Sequence, residues 1–229
     1  MRCCIIFLFI TTYWTFGCKT EEPQKDFFQN GYIKIVEVKS KKTGRIWMDR
    51  NLDFGYNYDS GLEASFPGDL YQWGRLTDGH QIRNSNTTQI KSKNNSPGNS
   101  SFIIGKDWLT ISNNNLWQGI KGINNVCPSG YRLPTIEEWE NEIKGFNYIN
   151  GNFGAIENFA TIGESFTLKI SGFRDSVNGI IKNSGEEAYY WSSTTKGEFS
   201  VALRLSFFEG ISVVNINRAT GGCVRCIKN

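Results

Sequence analysis

Histidine occurs once, at His80, and methionine twice in a chain of 229 residues. A single imidazole cannot build a zinc centre of the ordinary kind, which draws its ligands from several His and Cys. A serine nucleophile would have to lean on the same His80, and neither Ser192 nor Ser193 stands in a nucleophile-elbow context. His80 therefore reads as a loop-packing or surface residue. Charge of one sign is also lacking. The 25 Lys and Arg against 22 Asp and Glu leave no field to gather nucleic acid or an anionic membrane surface. No apolar run reaches the roughly 20 residues that a membrane-spanning helix needs. Internal repeats and phosphate-cradling loops are missing as well.

What is present is aromatic and turn-forming. Aromatic residues make up 14% of the chain, seven of them Trp, and there are 24 Gly beside abundant Asn. Such a composition favours turns and irregular connections over long helices. Length and apolar content suit one large, loop-rich domain, either α+β or mostly β.

The first 17 residues read as an export signal. Arg2 is a short positive start, Cys3 to Phe16 is almost unbroken apolar and aromatic, and Thr15-Phe16-Gly17-Cys18 is followed by polar Lys19-Thr20-Glu21-Glu22-Pro23. A small residue followed by Cys at the end of such a run resembles a bacterial lipobox, with Thr15 and Phe16 departing from its usual residues. That resemblance implies diacylation of Cys18, an outer-membrane lipoprotein facing the cell surface, and a polar tether over residues 18–30. Ordinary signal cleavage near Cys18 is the alternative. Export implies an oxidising compartment, in which Cys127, Cys223 and Cys226 supply one disulfide and one spare thiol.

The folded domain is expected over 31–229. Ile33, Ile35, Val36 and Val38, then Lys41-Lys42-Thr43-Gly44, then Ile46-Trp47-Met48, read as a hairpin. Asp53 to Pro67 reads as an irregular loop. About 84–101, dominated by Asn, Ser, Lys and Thr, the chain reads as an exposed insertion. The clearest helix starts at Thr135, where Thr135-Ile136-Glu137-Glu138 is a capping box. Ile136, Trp139 and Ile143 share its apolar face, Glu137, Glu138, Glu140 and Glu142 its capping turn and solvated face, and Gly145 its end. Tyr189–Thr194, Val201–Phe208, Ile211–Ile216 and Val224–Ile227 read as an antiparallel meander with one buried face.

Several segments together resemble the Fibrobacter succinogenes major paralogous domain family of bacterial surface proteins. They are Gly44-Arg45-Ile46-Trp47-Met48-Asp49-Arg50-Asn51-Leu52, Gly68-Asp69-Leu70-Tyr71-Gln72-Trp73-Gly74-Arg75 and Cys127-Pro128-Ser129-Gly130-Tyr131-Arg132-Leu133-Pro134-Thr135. Gly172-Phe173-Arg174-Asp175, Tyr190-Trp191-Ser192-Ser193-Thr194 and Val224-Arg225-Cys226 follow in the same order, so the resemblance runs from about Ile33 to Lys228. It implies an α+β, C-type-lectin-like fold: a short twisted antiparallel sheet, two helices and long irregular loops. Arg132-Leu133-Pro134-Thr135 and Arg225-Cys226 are also similar to formylglycine-generating enzymes, but the thiol pair of that chemistry has no counterpart between Trp191 and Asn217. Without thiolates there is neither copper ligand nor nucleophile for that oxidation.

Cys127 and Cys226, before the main helix and in the final strand, are the expected disulfide, with Cys223 as the alternative partner. Trp47, Trp73, Trp139 and Trp191 are expected in the core. Tyr56, Tyr58, Trp108 and Trp117 lie nearer loops and are the candidate ligand contacts. No resident cofactor is implied. Asp49, Asp53 and Asp59 offer hard oxygens to calcium, though not at EF-hand spacing. The expected function is non-catalytic: a surface lipoprotein, held to the membrane by its lipid, that recognises a glycan or a surface protein. A structural envelope component without a discrete ligand is the alternative.

Overall fold

The computed structural model describes residues 27–28, 31–32, 35–53, 67–144, 159–162 and 166–229. The described structure is 36% strand and 5% helix, with one helix among the described residues. The architecture is thus nearer all-β than the expected α+β, and the C-type-lectin-like arrangement with two helices is overturned. Residues 113–125 show how the chain is built from turns where it is not strand. Gly119 adopts φ +66°, and the N–H of Gly122 returns to the carbonyl of Gly119, as that of Asn125 does to Gly122. These i to i−3 closures make successive turns instead.

Most strands are short. β1 (Phe27–Phe28) pairs with β2 (Gly31–Tyr32). β3 (Glu37–Lys39) and β4 (Ile46–Met48) form the hairpin read from the sequence. β5 (Tyr71–Gln72) follows, then β6 (Thr87–Thr88), which lies parallel to β7 (Phe102–Ile103). β8 (Tyr131–Arg132) precedes α1 (Ile136–Ile143). β9 (Phe159–Ile162) pairs with β10 (Phe166–Lys169), and β11 (Ser171–Arg174) with β12 (Ile181–Ser184). The long elements come last: β13 (Glu187–Lys196), β14 (Phe199–Ser206) and β15 (Gly210–Ile216), before β16 (Gly221–Gly222) and β17 (Ile227–Lys228). The larger sheets run β13-β14-β15, β12-β11-β16-β5 and β3-β4-β17-β8.

Three strands of the expected meander are there, β13-β14-β15, but Val224–Ile227 does not close it: Ile227 pairs with Trp47 and Arg132 in the β3-β4-β17-β8 sheet. Nor is the meander solvated on one face. In β13 and β14, Ala188, Tyr190, Leu203 and Leu205 join one apolar cluster with Trp47 and Trp139, while Trp191 and Ala202 join a second with Trp73, Trp108 and Trp117. Successive side chains of a strand point to opposite faces, so this sheet is buried on both. Burial of Ser200 and Ser206 at nominally polar positions reflects the same placement.

The helix follows its sequence signals. The Thr135 hydroxyl accepts from the Glu138 N–H at 3.1 Å and Glu138 accepts from the Thr135 N–H at 2.9 Å. Trp139 is buried, with Ile136 and Ile143 packed beside it. Glu142 departs from the expected solvated face. It is buried, and its carboxylate accepts from Ser40 Oγ at 2.8 Å, Trp47 Nε1 at 3.0 Å and the Thr43 hydroxyl. The insertion about 84–101 is exposed but pinned. Ser92 bridges to Leu109, Arg75 takes the carbonyls of Asn99 and Ser101, and Asn124 takes that of Asn95.

Cys127 and Cys226 are bonded, with Cα atoms 5.9 Å apart and a sequence separation of 99. A crosslink closing so long a loop is worth roughly 4–5 kcal/mol in the chain-entropy model. Cys127→Ser is therefore expected to lower the urea midpoint under oxidising conditions by a corresponding amount. An unchanged midpoint would show that the bridge does not restrain the unfolded chain.

Candidate functional site

Glu142 determines where the β3–β4 turn sits. By holding Ser40, Thr43 and Trp47, with Lys42 Nζ on its own carbonyl at 2.9 Å, it fastens the turn against α1. Between turn and helix opens a cleft of about 410 Å³ lined by Thr43, Arg45, Thr135, Glu137, Glu138 and Asn141. The floor is rigid. Glu138 is held by the capping box, by a forked Arg132 at 2.7 and 2.8 Å, and by Arg45. Burial opposes its charge, but these hydrogen bonds outweigh burial, and its pKa falls to about 2.

The rim is not spent in this way. The Glu137 carboxylate and the Asn141 amide make no hydrogen bond among the described residues, and Arg45 uses one Nη and leaves Nε and the other Nη open. Glu137 and Asn141 lie four apart and hence on one helix face. The cleft thus presents an acceptor, a donor–acceptor amide and an open guanidinium edge beside two hydroxyls. A full anion would meet Glu137 and a full cation Arg45. A neutral polyhydroxyl ligand, whose every hydroxyl both donates and accepts, suits the mixture. None of the six lining residues is aromatic, so ring stacking adds nothing there.

Elsewhere, the candidate residues are largely absorbed by the framework. Trp108 and Trp117 are fully buried, which corrects their reading as ligand contacts. Trp108 Nε1 donates to the Trp73 carbonyl at 2.7 Å, and Trp117 packs 5.7 Å from the Trp73 ring. Asp49 is forked by Arg50 at 2.7 Å, and Asp53 is half-buried. Among the described residues no group of three His, Cys, Asp or Glu converges as a metal site. Tyr56, Tyr58, Asp59 and Cys18 lie outside the described residues. Cys223 is a buried thiol 2.9 Å from Ser171 Oγ, its pKa raised by burial.

His80 is fully buried, not at the surface. Its Nε2 accepts from the Gln72 N–H at 3.0 Å, so the ring proton sits on Nδ1 and is donated to Asp78 at 2.7 Å. Both nitrogens are occupied, and the ring is a fastener between β5 and the turn after it.

The cleft residues went unnoticed in the sequence because Arg45 lies within a framework motif and Glu137 was explained by capping. The i, i+4 pairing of Glu137 with Asn141, opposite the Ile136–Trp139–Ile143 stripe, is the signal that marked an open polar face. Nothing in sequence separates buried Glu142 from exposed Glu140.

The fold depresses the pKa of His80 from 6.5 to about 4, mainly through burial, with Asp78 opposing. Below pH 6.5 the unfolded chain binds a proton that the folded chain refuses, so stability falls as pH drops toward 4, by roughly 3 kcal/mol in all. Glu138, depressed from 4.5 to about 2, extends the loss below pH 4.5. Chemical denaturation between pH 7 and 4 should show the first decline, and His80→Gln should flatten it. A slope retained in that variant would assign the decline to carboxylates.

No family model matches the chain, and neither the curated proteins nor the solved structures compared with it match.

Proposed function

We propose that the chain is an exported, lipid-anchored and non-catalytic recognition module of the Fibrobacter major paralogous type, whose cleft between the β3–β4 turn and α1 takes a neutral, hydroxyl-rich ligand, a saccharide. The observation that carries this reading is the contrast between a spent floor and an unspent rim: Glu138 is saturated, while Glu137, Asn141 and half of Arg45 are not. Groups suited to chemistry support it from the other side. His80 is saturated, and the Cys223 thiol is buried with its pKa raised. The motif stretches meet one another inside the protein, as expected of a frame that holds loops for display. Among the described residues no helix is long and apolar enough to cross a membrane, and Cys18 remains the proposed anchor.

Calorimetric titration against a saccharide panel, with calcium and with chelator, tests the reading. Saturable binding is expected, and Glu137→Gln and Asn141→Ala should each weaken it by about tenfold, the scale of one lost hydrogen bond, with the melting midpoint unchanged. Binding indifferent to both variants would place the site elsewhere, and no saturable binding would remove the recognition reading. Cys18→Ser is expected to abolish fatty-acid labelling, and persistent labelling would contradict the anchor.

A further inference from the structure

β15 is the outer strand of the β13-β14-β15 sheet. It runs seven residues, Gly-Ile-Ser-Val-Val-Asn-Ile, with neither a charge nor a proline. Its pairing with β14 is continuous from Ser206↔Gly210 to Ser200↔Ile216, with no bulge. Charged side chains, Pro, bulges or brevity normally protect such an edge. Other outer strands of this protein show that protection. β3 is three residues with Glu37 and Lys39, β12 is four with Lys182, and β8 is two with Arg132. On the far side of the sheet, β13 is covered by the chain around Cys223, whose N–H and carbonyl bond Tyr189 and Trp191.

The direction of the free groups follows from the ladder. Phe207 donates its N–H to Glu186, and the Val201 carbonyl accepts from Ser192 Oγ, so odd-numbered residues of β14 face β13. Its even-numbered residues therefore face β15, where they meet Gly210, Ser212, Val214 and Ile216. Ile211, Val213 and Asn215 are left with N–H and C=O turned outward. No main-chain bond joins them to another segment among the described residues.

We propose that this edge joins two copies of the chain, β15 to β15, antiparallel about a two-fold axis through Val213. In that register Val213 pairs with its own mate and Ile211 with Asn215 of the other copy. All the outward groups are used, in about six main-chain hydrogen bonds. The sequence is self-compatible at every pair: Gly210 meets Ile216, Ser212 meets Val214, and no like charges oppose. The residue at the axis is also the most exposed apolar side chain of the strand. Val213 is 40% accessible, whereas Ile211, Val214 and Ile216 are partly buried against the clusters. Pairing would bury Val213 against Val213 and extend three strands into a continuous six. A foreign extended peptide could use the same hydrogen bonds, but would not need an apolar residue at the midpoint.

Sedimentation velocity of the full protein, from low to high micromolar concentration, tests the dimer. Val213→Pro removes an outward N–H without touching the β14 ladder, as an edge position allows, and Val213→Lys sets like charges across the axis. The wild type is expected to dimerise with concentration. Both variants should weaken the dimer by at least about tenfold, the proline through the two symmetric main-chain bonds it removes and the lysine through like charges across the axis, with melting midpoints at low concentration unchanged. If a variant fails to fold, amide exchange of the wild type decides. The N–H groups of Ile211, Val213 and Asn215 should gain protection as concentration rises. A wild type monomeric throughout, a dimer indifferent to both variants, or protection that appears only with a foreign peptide would overturn the proposal.

Discussion

Buried backbone needs hydrogen-bond partners, and this chain has few regular ladders to supply them. The shortfall is met by side chains. Four indoles donate to main-chain carbonyls: Trp73 to Ser192 in the β13 irregularity, Trp108 to Trp73 just after β5, Trp139 to Trp191 in β13 and Trp191 to Tyr71 in β5, at 2.7 to 3.2 Å. Buried guanidinium groups do the same. Arg225 takes Met48 and Thr167, Arg75 takes Asn99 and Ser101, and Arg174 takes Gly179 and Ile82. Burying an arginine is costly unless its donors are used, so each of these groups fixes several segments at once or destabilises the fold. Arg218 is the partial exception. Its Nε and Nη1 have no acceptor among the described residues, but its guanidinium lies 4.9 Å over the Trp73 ring, a cation–π contact that offsets part of the cost.

This constraint explains which features were legible in the sequence. Thr135 and Glu138 form a cap through neighbours three residues apart, and the Ile46–Met48 hairpin closes through a short turn, so local spacing was enough for both. Trp47, Trp73, Trp139 and Trp191 were read as core, and they are buried. Trp108 and Trp117 were misplaced because proximity to loops was taken for exposure, whereas the loops here wrap around them. Glu142 was read as part of a solvated helix face, since its partners are remote: Ser40 is 102 residues away. His80 was read as a loop-packing or surface residue; its partners Asp78 and Gln72 are near in sequence, but its burial depends on the distant segments that cover it. The fold class failed for a related reason. One strong helix signal was weighed beside an implied second one, and the many two-residue strands carry no periodicity from which an all-β character could be read.

The candidate site was less legible than the frame. Motif residues are largely spent inside the frame: Arg225 bonds Asn51, Trp73 bonds the Ser192 carbonyl, and Arg132 bonds Glu138. Asn51 accepts from Arg225 Nε at 3.1 Å and donates to Tyr190 at 3.1 Å. The β13 irregularity between Trp191 and Thr195 likewise turns the hydroxylated Ser192-Ser193-Thr194 inward: Ser193 donates its N–H to Pro134 at 2.8 Å, and Thr194 Oγ1 receives the N–H of Ile136 at 3.0 Å. A frame so internally satisfied can tolerate change at its rim, where the Glu137 and Asn141 side chains are exposed and make no hydrogen bond among the described residues.

The most direct test of this account is hydrogen exchange at the indole N–H groups of Trp73, Trp108, Trp139 and Trp191, followed by nuclear magnetic resonance alongside the β14 amides. If these bonds hold the irregular segments to the sheet, the indole protons exchange only through global unfolding, with the same denaturant dependence as the β14 amides. Indole exchange that proceeds through local opening while those amides stay protected would contradict it.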